Sequence, residues 1–194
     1  MKAKHVPTGR KSKASIRDFY LPSALTVSSD VIQEQAGSTT IVRLIDQISS
    51  YRFPVAPPFW IIAELCAQPG VTPARVTEAE VYLKLVMLTP KDALIEFGEF
   101  RQTPPDVPDW FMTRFLVNAS GGIAFQNLGY NRIQLLGKVG SGNYELLLER
   151  LLPVKKMSRE EFVQRFGFEP PAEPNEVYDP RKKQEAIKKT TKKK

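Results

Sequence analysis

The chain has 194 residues, 42% of them apolar and 25% charged, with a formal net charge of +7. Its single cysteine, Cys66, and single histidine, His5, exclude an internal disulfide framework and a Cys/His zinc site, which needs three or four ligands. No apolar run reaches the roughly 18 residues that a membrane-spanning helix requires.

Read in chain order, residues 1–17 carry Lys2, Lys4, Arg10, Lys11, Lys13 and Arg17 and no acid, a charge of +6. Their large apolar side chains beyond Met1 are Val6 and Ile16. So little burial cannot offset a backbone ordering cost of about 1–2 kcal/mol per residue, which predicts a disordered basic arm over residues 1–20. The polar start has no apolar stretch of the kind a secretory signal needs. Thr39–Ile48 (TTIVRLIDQI) has apolar residues at helical spacing behind Ser38, but its β-branched content favours a strand. Phe59–Cys66 (FWIIAELC) and Glu80–Leu88 (EVYLKLVML) read as further short apolar segments. The alternative for 59–88 is a helix-turn-helix around Pro69-Gly70, with Thr72-Pro73 opening the second helix. Glu78 and Glu80 beside Arg75 would then face phosphates and repel them.

Ala93–Phe100, Phe111–Val117 and Gly122–Asn127 continue the series, punctuated by Thr89-Pro90, Thr103-Pro104-Pro105 and Gly121-Gly122. Arg132–Val139 and Asn143–Leu152 flank Gly140-Ser141-Gly142 and predict a β-hairpin. Ile133, Leu135 and Gly137 share one face of its first strand. Tyr144, Leu146, Leu148 and Arg150 share one face of the second. Ser158-Arg-Glu-Glu161 is a capping box and Gly167 a C-terminal stop, so a short helix is expected over 159–166. Glu169–Pro180 (EPPAEPNEVYDP) reads as an extended linker. Residues 181–194 (RKKQEAIKKTTKKK) carry Arg181, Lys182, Lys183, Lys188, Lys189, Lys192, Lys193 and Lys194 against Glu185, a charge of +7.

Split by position, the net charge is therefore +6 over 1–17, −6 over 18–180 and +7 over 181–194. A mildly acidic body sits between two basic tails. Lysine-rich tails suit a polyanion, because each neutralised phosphate releases counterions without needing a shaped pocket. The fourteen tail cations named above are the candidate nucleic-acid contacts. A solubility tail or a nuclear localisation signal at 181–194 is the blander reading of the same residues.

Catalytic constellations are missing from this reading. Glu96 and Glu99, and Glu78 and Glu80, are spaced as carboxylate pairs but have no accompanying nucleophile or metal ligand. Glu78 and Glu80 would share one solvent-facing side of a strand. The glycine-rich stretches lack the Lys-Ser/Thr ending of a phosphate loop and read as turns. Cys66 is expected to be buried and inert. Trp60, Trp110, Phe59, Phe111 and Phe115 could stack bases, but aromatic residues at strand positions more often fill a core or a subunit contact. No metal or cofactor is implied, and the chain reads as a non-enzyme.

Many short strands with Pro/Gly turns predict an all-β, jelly-roll-like antiparallel sandwich with a short C-terminal helix. The expected divisions are an arm over 1–20, a body over 21–168 and a linker with its lysine tail over 169–194. The arm KAKHVPTGRKSKASIR, the strand series 39–152 and the hairpin RIQLLGKVGSGNYELLLERLL together resemble, in layout, capsid proteins of small positive-strand RNA viruses. The arm is less arginine-rich than in many of these, and the C-terminal lysine tail is a departure. The resemblance implies a virion structural protein that self-assembles as a homo-oligomer and packages RNA through its tails. It would be found in the virion and the host cytoplasm, with the nucleus a further destination. Two rivals use the same tails: a viral matrix-type protein on anionic membrane and nucleoprotein, and a ribosome- or chromatin-associated nucleic-acid-binding module.

Overall fold

The computed structural model describes residues 14–33, 39–104, 112–119 and 123–170. The chain falls into two compact units, the first ending at Lys156 and the second beginning at Met157.

The first unit is an all-β sandwich. β1 (Tyr20–Gln33), β2 (Thr39–Leu44), β4 (Trp60–Ala67) and β7 (Met112–Asn118) form one sheet in the order β2-β1-β4-β7. β3 (Ile48–Ser50), β9 (Glu145–Lys156), β8 (Gly129–Val139), β5 (Val81–Leu88) and β6 (Leu94–Arg101) form the other in that order. Neighbours run antiparallel except β3 and β9, which are parallel. The hairpins β5–β6 and β8–β9 stay within one sheet, so the expectation holds as a two-sheet sandwich and this order does not establish a jelly roll. One buried cluster joins Val27, Ile61, Ala63 and Leu65 of the first sheet to Leu83, Leu85, Ile133, Leu135 and Leu152 of the second. These residues alternate along their strands, as a half-buried sheet requires.

Thr39–Leu44 is the strand β2, as its β-branched content implies, and the helical stripe is not used, but the segment is not one strand: a bend at Asp46 divides it, and Ile48 opens β3 in the other sheet. Segment 59–88 is not a helix-turn-helix. Trp60–Ala67 is β4, only Pro73–Glu78 is helical, as α1, and Val81–Leu88 is β5. Thr72 caps α1 by accepting from the Arg75 amide, and Pro73 opens it. The β-branched and aromatic run WII made β4 a strand, because sheet partners on both sides could bury it. Glu78 ends this helix and Glu80 lies beyond it with φ 53°, so the two do not share a strand face.

The predicted β8–β9 hairpin is present, with Ile133, Leu135 and Gly137 turned to the core. The return strand differs from its simple alternation. A bulge opposite Leu135/Leu136 pairs Leu135 with Leu148 but Leu136 with Leu146. The extra residue, Leu147, enters the core at 6% exposure, while Leu146 is left 44% exposed. Arg150 stays opposite Ile133 and reaches across the sandwich to the Leu25 and Ile45 carbonyls and the Asp46 carboxylate. Three acceptors, one of them charged, satisfy a guanidinium that the core face would otherwise strand.

The N-terminal boundary moves. Residues 14–20 belong to the body rather than to a disordered arm. Ser15 caps a 3-10 turn over Ile16–Asp18, and its own amide is capped in return by Asp18. Ile16 and Tyr20 are fully buried and Phe19 nearly so. The reason is non-local. Gly137 has no Cβ, and one placed there would lie 2.5 Å from Ile16 Cγ1 and 3.0 Å from Leu147 Cδ1. The gap in β8 is filled by a residue 121 positions earlier, which composition alone cannot register.

In the second unit, α2 (Arg159–Phe166) has the predicted capping box. Ser158 Oγ accepts from the Glu161 amide at 3.1 Å, and Glu161 accepts from the Ser158 amide at 2.8 Å. Gly167 ends the helix in the left-handed region. Phe162, Phe166 and Phe168 cluster beside it, with ring centroids 4.6–6.1 Å apart.

Candidate polyanion interface

Of the fourteen candidate cations, thirteen lie outside the described residues: Lys2, Lys4, Arg10, Lys11, Lys13, and all eight of the C-terminal run from Arg181 to Lys194. Arg17 is described, and it is built into the body. Its guanidinium donates to the Leu146 carbonyl at 3.0 Å, and its own carbonyl accepts from Gln68 Nε2 at 2.9 Å. Beside it Ser15 Oγ donates to Glu145 at 2.7 Å. Arg17 is therefore an anchor for the start of the body, although its side of the turn remains exposed.

These contacts fix where the N-terminal basic segment meets the sandwich. That segment joins the sandwich at Ala14, next to Glu145 at the start of β9. The chain leaves the sandwich at Lys156, the end of β9. The 12 residues of β9 make 11 steps of about 3.3 Å, so those two points of the sandwich are roughly 36 Å apart. At the exit, exposed Lys155 and Lys156 pair in register with Ser49 and Ser50, close to exposed Arg52. The signal for these three was only their charge, diluted among acids elsewhere in the body.

The outer face of the five-stranded sheet carries the body's most organised charges. Lys138 lies over the rings of Tyr82 and Tyr144, 4.9 and 4.6 Å from their centroids, and 3.0 Å from the Glu99 carboxylate. Lys84 pairs with Glu96, Arg101 with Glu80 and Arg132 with Asp92. The Tyr144 hydroxyl and then Lys138 hold the Glu99 carboxyl below its ordinary range, while Glu99 and Tyr144 raise Lys138. Burial, with Glu99 second, raises the Tyr144 phenol. Among the described residues that hydroxyl makes no hydrogen bond of full geometry, so its influence on Glu99 is one of proximity. Each of these four cations has an acid beside it, so their charges are balanced pair by pair. Glu96 and Glu99, spaced as a carboxylate pair in sequence, thus serve two different lysines.

The remaining expectations divide. Phe59 is fully buried against Phe125, 5.8 Å between centroids, and Phe115 packs half-buried on Phe100 at 5.5 Å. Trp60 is half-buried at the start of β4, and Trp110 and Phe111 lie outside the described residues. Cys66 is not in the core. It is half-buried on the outer face of the four-stranded sheet, in register between Leu21 and Met112. Those neighbours are 45% and 43% exposed, so the three form an apolar row open to solvent. Alternation decides this: Leu65 and Ala67 take the inward side of β4, and Cys66 between them must turn out. Among the described residues no three His, Cys, Asp or Glu side chains gather as metal ligands, and no helix there is long and apolar enough to cross a membrane. No protein-family model matches the chain, and no curated protein matches its sequence.

Proposed function

We propose that this protein is a structural, non-enzymatic scaffold that holds RNA through its two basic terminal segments and self-associates through its sandwich. In its most specific form that is a coat protein of a small RNA virus, working in the virion and host cytoplasm. The observation that carries the reading is the segregation of charge. Segments 1–17 and 181–194 hold +13 between them, against −6 for all that lies between. Pairing of the body's outer-face cations with acids supports the same division of labour. The open row Leu21–Cys66–Met112 supports self-association, since burying apolar surface is what subunit contacts do.

The test is size-exclusion chromatography with light scattering and ultraviolet absorbance on the full chain and on deletions of 1–13 and of 181–194. The N-terminal deletion stops at Lys13 because Ile16 is core. The full chain should elute as an oligomer carrying nuclease-sensitive absorbance that salt removes. Each deletion should lower the salt dependence of RNA binding, because each removes its own set of phosphate-neutralising cations. A monomer without nucleic acid, or equal binding by the double deletion, would overturn the proposal. Preference for anionic vesicles over RNA would replace it with the membrane-binding rival.

A further inference from the structure

The outer face of the five-stranded sheet changes character at one end. Alternation along β8, with Asn131 and Ile133 buried on the inward side, turns Tyr130 outward, where it is 61% exposed. Pro153 of β9 lies opposite it. Lys155, two residues further along β9, is exposed on the same face, because Leu152 and Val154 take the inward side. Such a cross-strand diagonal spans roughly 7–8 Å. Lys156 and Arg52, both exposed, carry the positive charge on past the strand ends.

The segments that meet here contain no acid. Residues 47–58, 125–132 and 151–156 are joined by the β3–β9 and β8–β9 pairings and the Val55–Phe125 bridge, and none of them is Asp or Glu. Lys155 makes no ion pair among the described residues. Arg132, the next outward residue of β8, is instead matched by Asp92 at 2.9 Å. An exposed tyrosine alone is ordinary. This one is distinguished by a cation without an acid one diagonal away, on a strand that fixes where the ring stands.

We propose that Tyr130 and Lys155 form a site on the body for single-stranded RNA. One base stacks on the tyrosine ring while an adjoining phosphate meets the Lys155 ammonium, and Lys156 and Arg52 lie where the strand continues. The pairing of ring and cation sets the class: phosphate attracts the lysines, and only an unpaired base offers the ring a free face. The inference rests on the RNA-holding function proposed above, and adds a contact that charge in the termini does not supply.

The experiment measures fluorescence anisotropy of a labelled oligouridine strand, and of an RNA duplex of equal length, with the full-length protein over a range of salt. Tyr130→Ala should weaken oligouridine binding about tenfold, with its salt slope and the duplex affinity unchanged. Tyr130→Phe should keep the affinity. Lys155→Gln, at an exposed strand end, should lower the single-strand salt slope by about 0.7, and it keeps the test open should Tyr130→Ala perturb the strand. RNA binding by the full chain that ignores both Tyr130→Ala and Lys155→Gln would overturn this site and leave the function of the termini standing. Equal weakening of strand and duplex would overturn the stacking. A lower mass by light scattering for Tyr130→Ala, with RNA affinity intact, would make the patch a subunit contact instead. A full chain that binds no RNA would overturn both readings.

Discussion

The two faces of the five-stranded sheet are made by alternate residues of the same strands, yet they share almost no chemistry. Inward, Leu83, Leu85, Ile133 and Leu135 are at most 1% exposed and pack against the opposite sheet. Outward, Tyr82, Lys84, Lys138 and Glu99 form a lattice of rings and ion pairs in contact with solvent. The first face supplies the cohesion. The second holds its charges in exposed ion pairs, which stabilise a sheet little. Net positive charge is left to the segments beyond the sandwich.

The sharpest way to break this comparison is to truncate the inner face. Leu135→Ala should cost about 2–5 kcal/mol, read as a lower urea midpoint, because it leaves a cavity between the sheets. Overfilling the same face comes next. In Gly137→Ala the added methyl meets Ile16, Leu147 and Leu83 at 2.5–3.1 Å. A loss of about 1–3 kcal/mol is expected, with faster amide exchange at residues 15–19 as the N-terminal turn is pushed off. Unchanged exchange there would show that the turn is not held by the Gly137 gap.

The outer face should respond least, and mainly to pH. The folded state holds the Glu99 proton less tightly than the unfolded chain, whose ordinary value is 4.5. Its contribution is therefore present above about pH 4.5 and lost as the pH falls through the lower folded value. Glu99→Gln should lower stability slightly at neutral pH, less than Gly137→Ala does, and flatten the acid limb of the stability curve. An acid limb identical to that of the unsubstituted protein would sever Glu99 from the Lys138–Tyr144 cluster.

What could be read without a structure was local. The β8–β9 hairpin rests on glycines between two alternating runs, and α2 rests on a capping box four residues long. Both motifs carry their own hydrogen-bonding instructions, and both stand where expected. Segment 59–66 was harder, since an apolar run fits a strand or a buried helix equally well until its neighbours are known. Asn131 had a signal that went unused: extending the inward row of 133, 135 and 137 back by two residues places an amide in the core. The tail cations were legible as charge, and Arg17 was grouped with them because its side chain is basic. Its carbonyl-bound position depends on Leu146 and Gln68, far away in sequence.

The net charge of +7 and its division into +6, −6 and +7 are properties of the amino-acid order alone, as are the strand alternation, the hairpin and the capped helix. Tertiary structure decided which alternate set faces inward, where Leu147 interrupts that alternation, why Cys66 turns out and why Ile16 turns in. The reason is that a period of two has two equivalent phases. Only the opposing sheet, and the bulges that fit one strand to the next, choose between them.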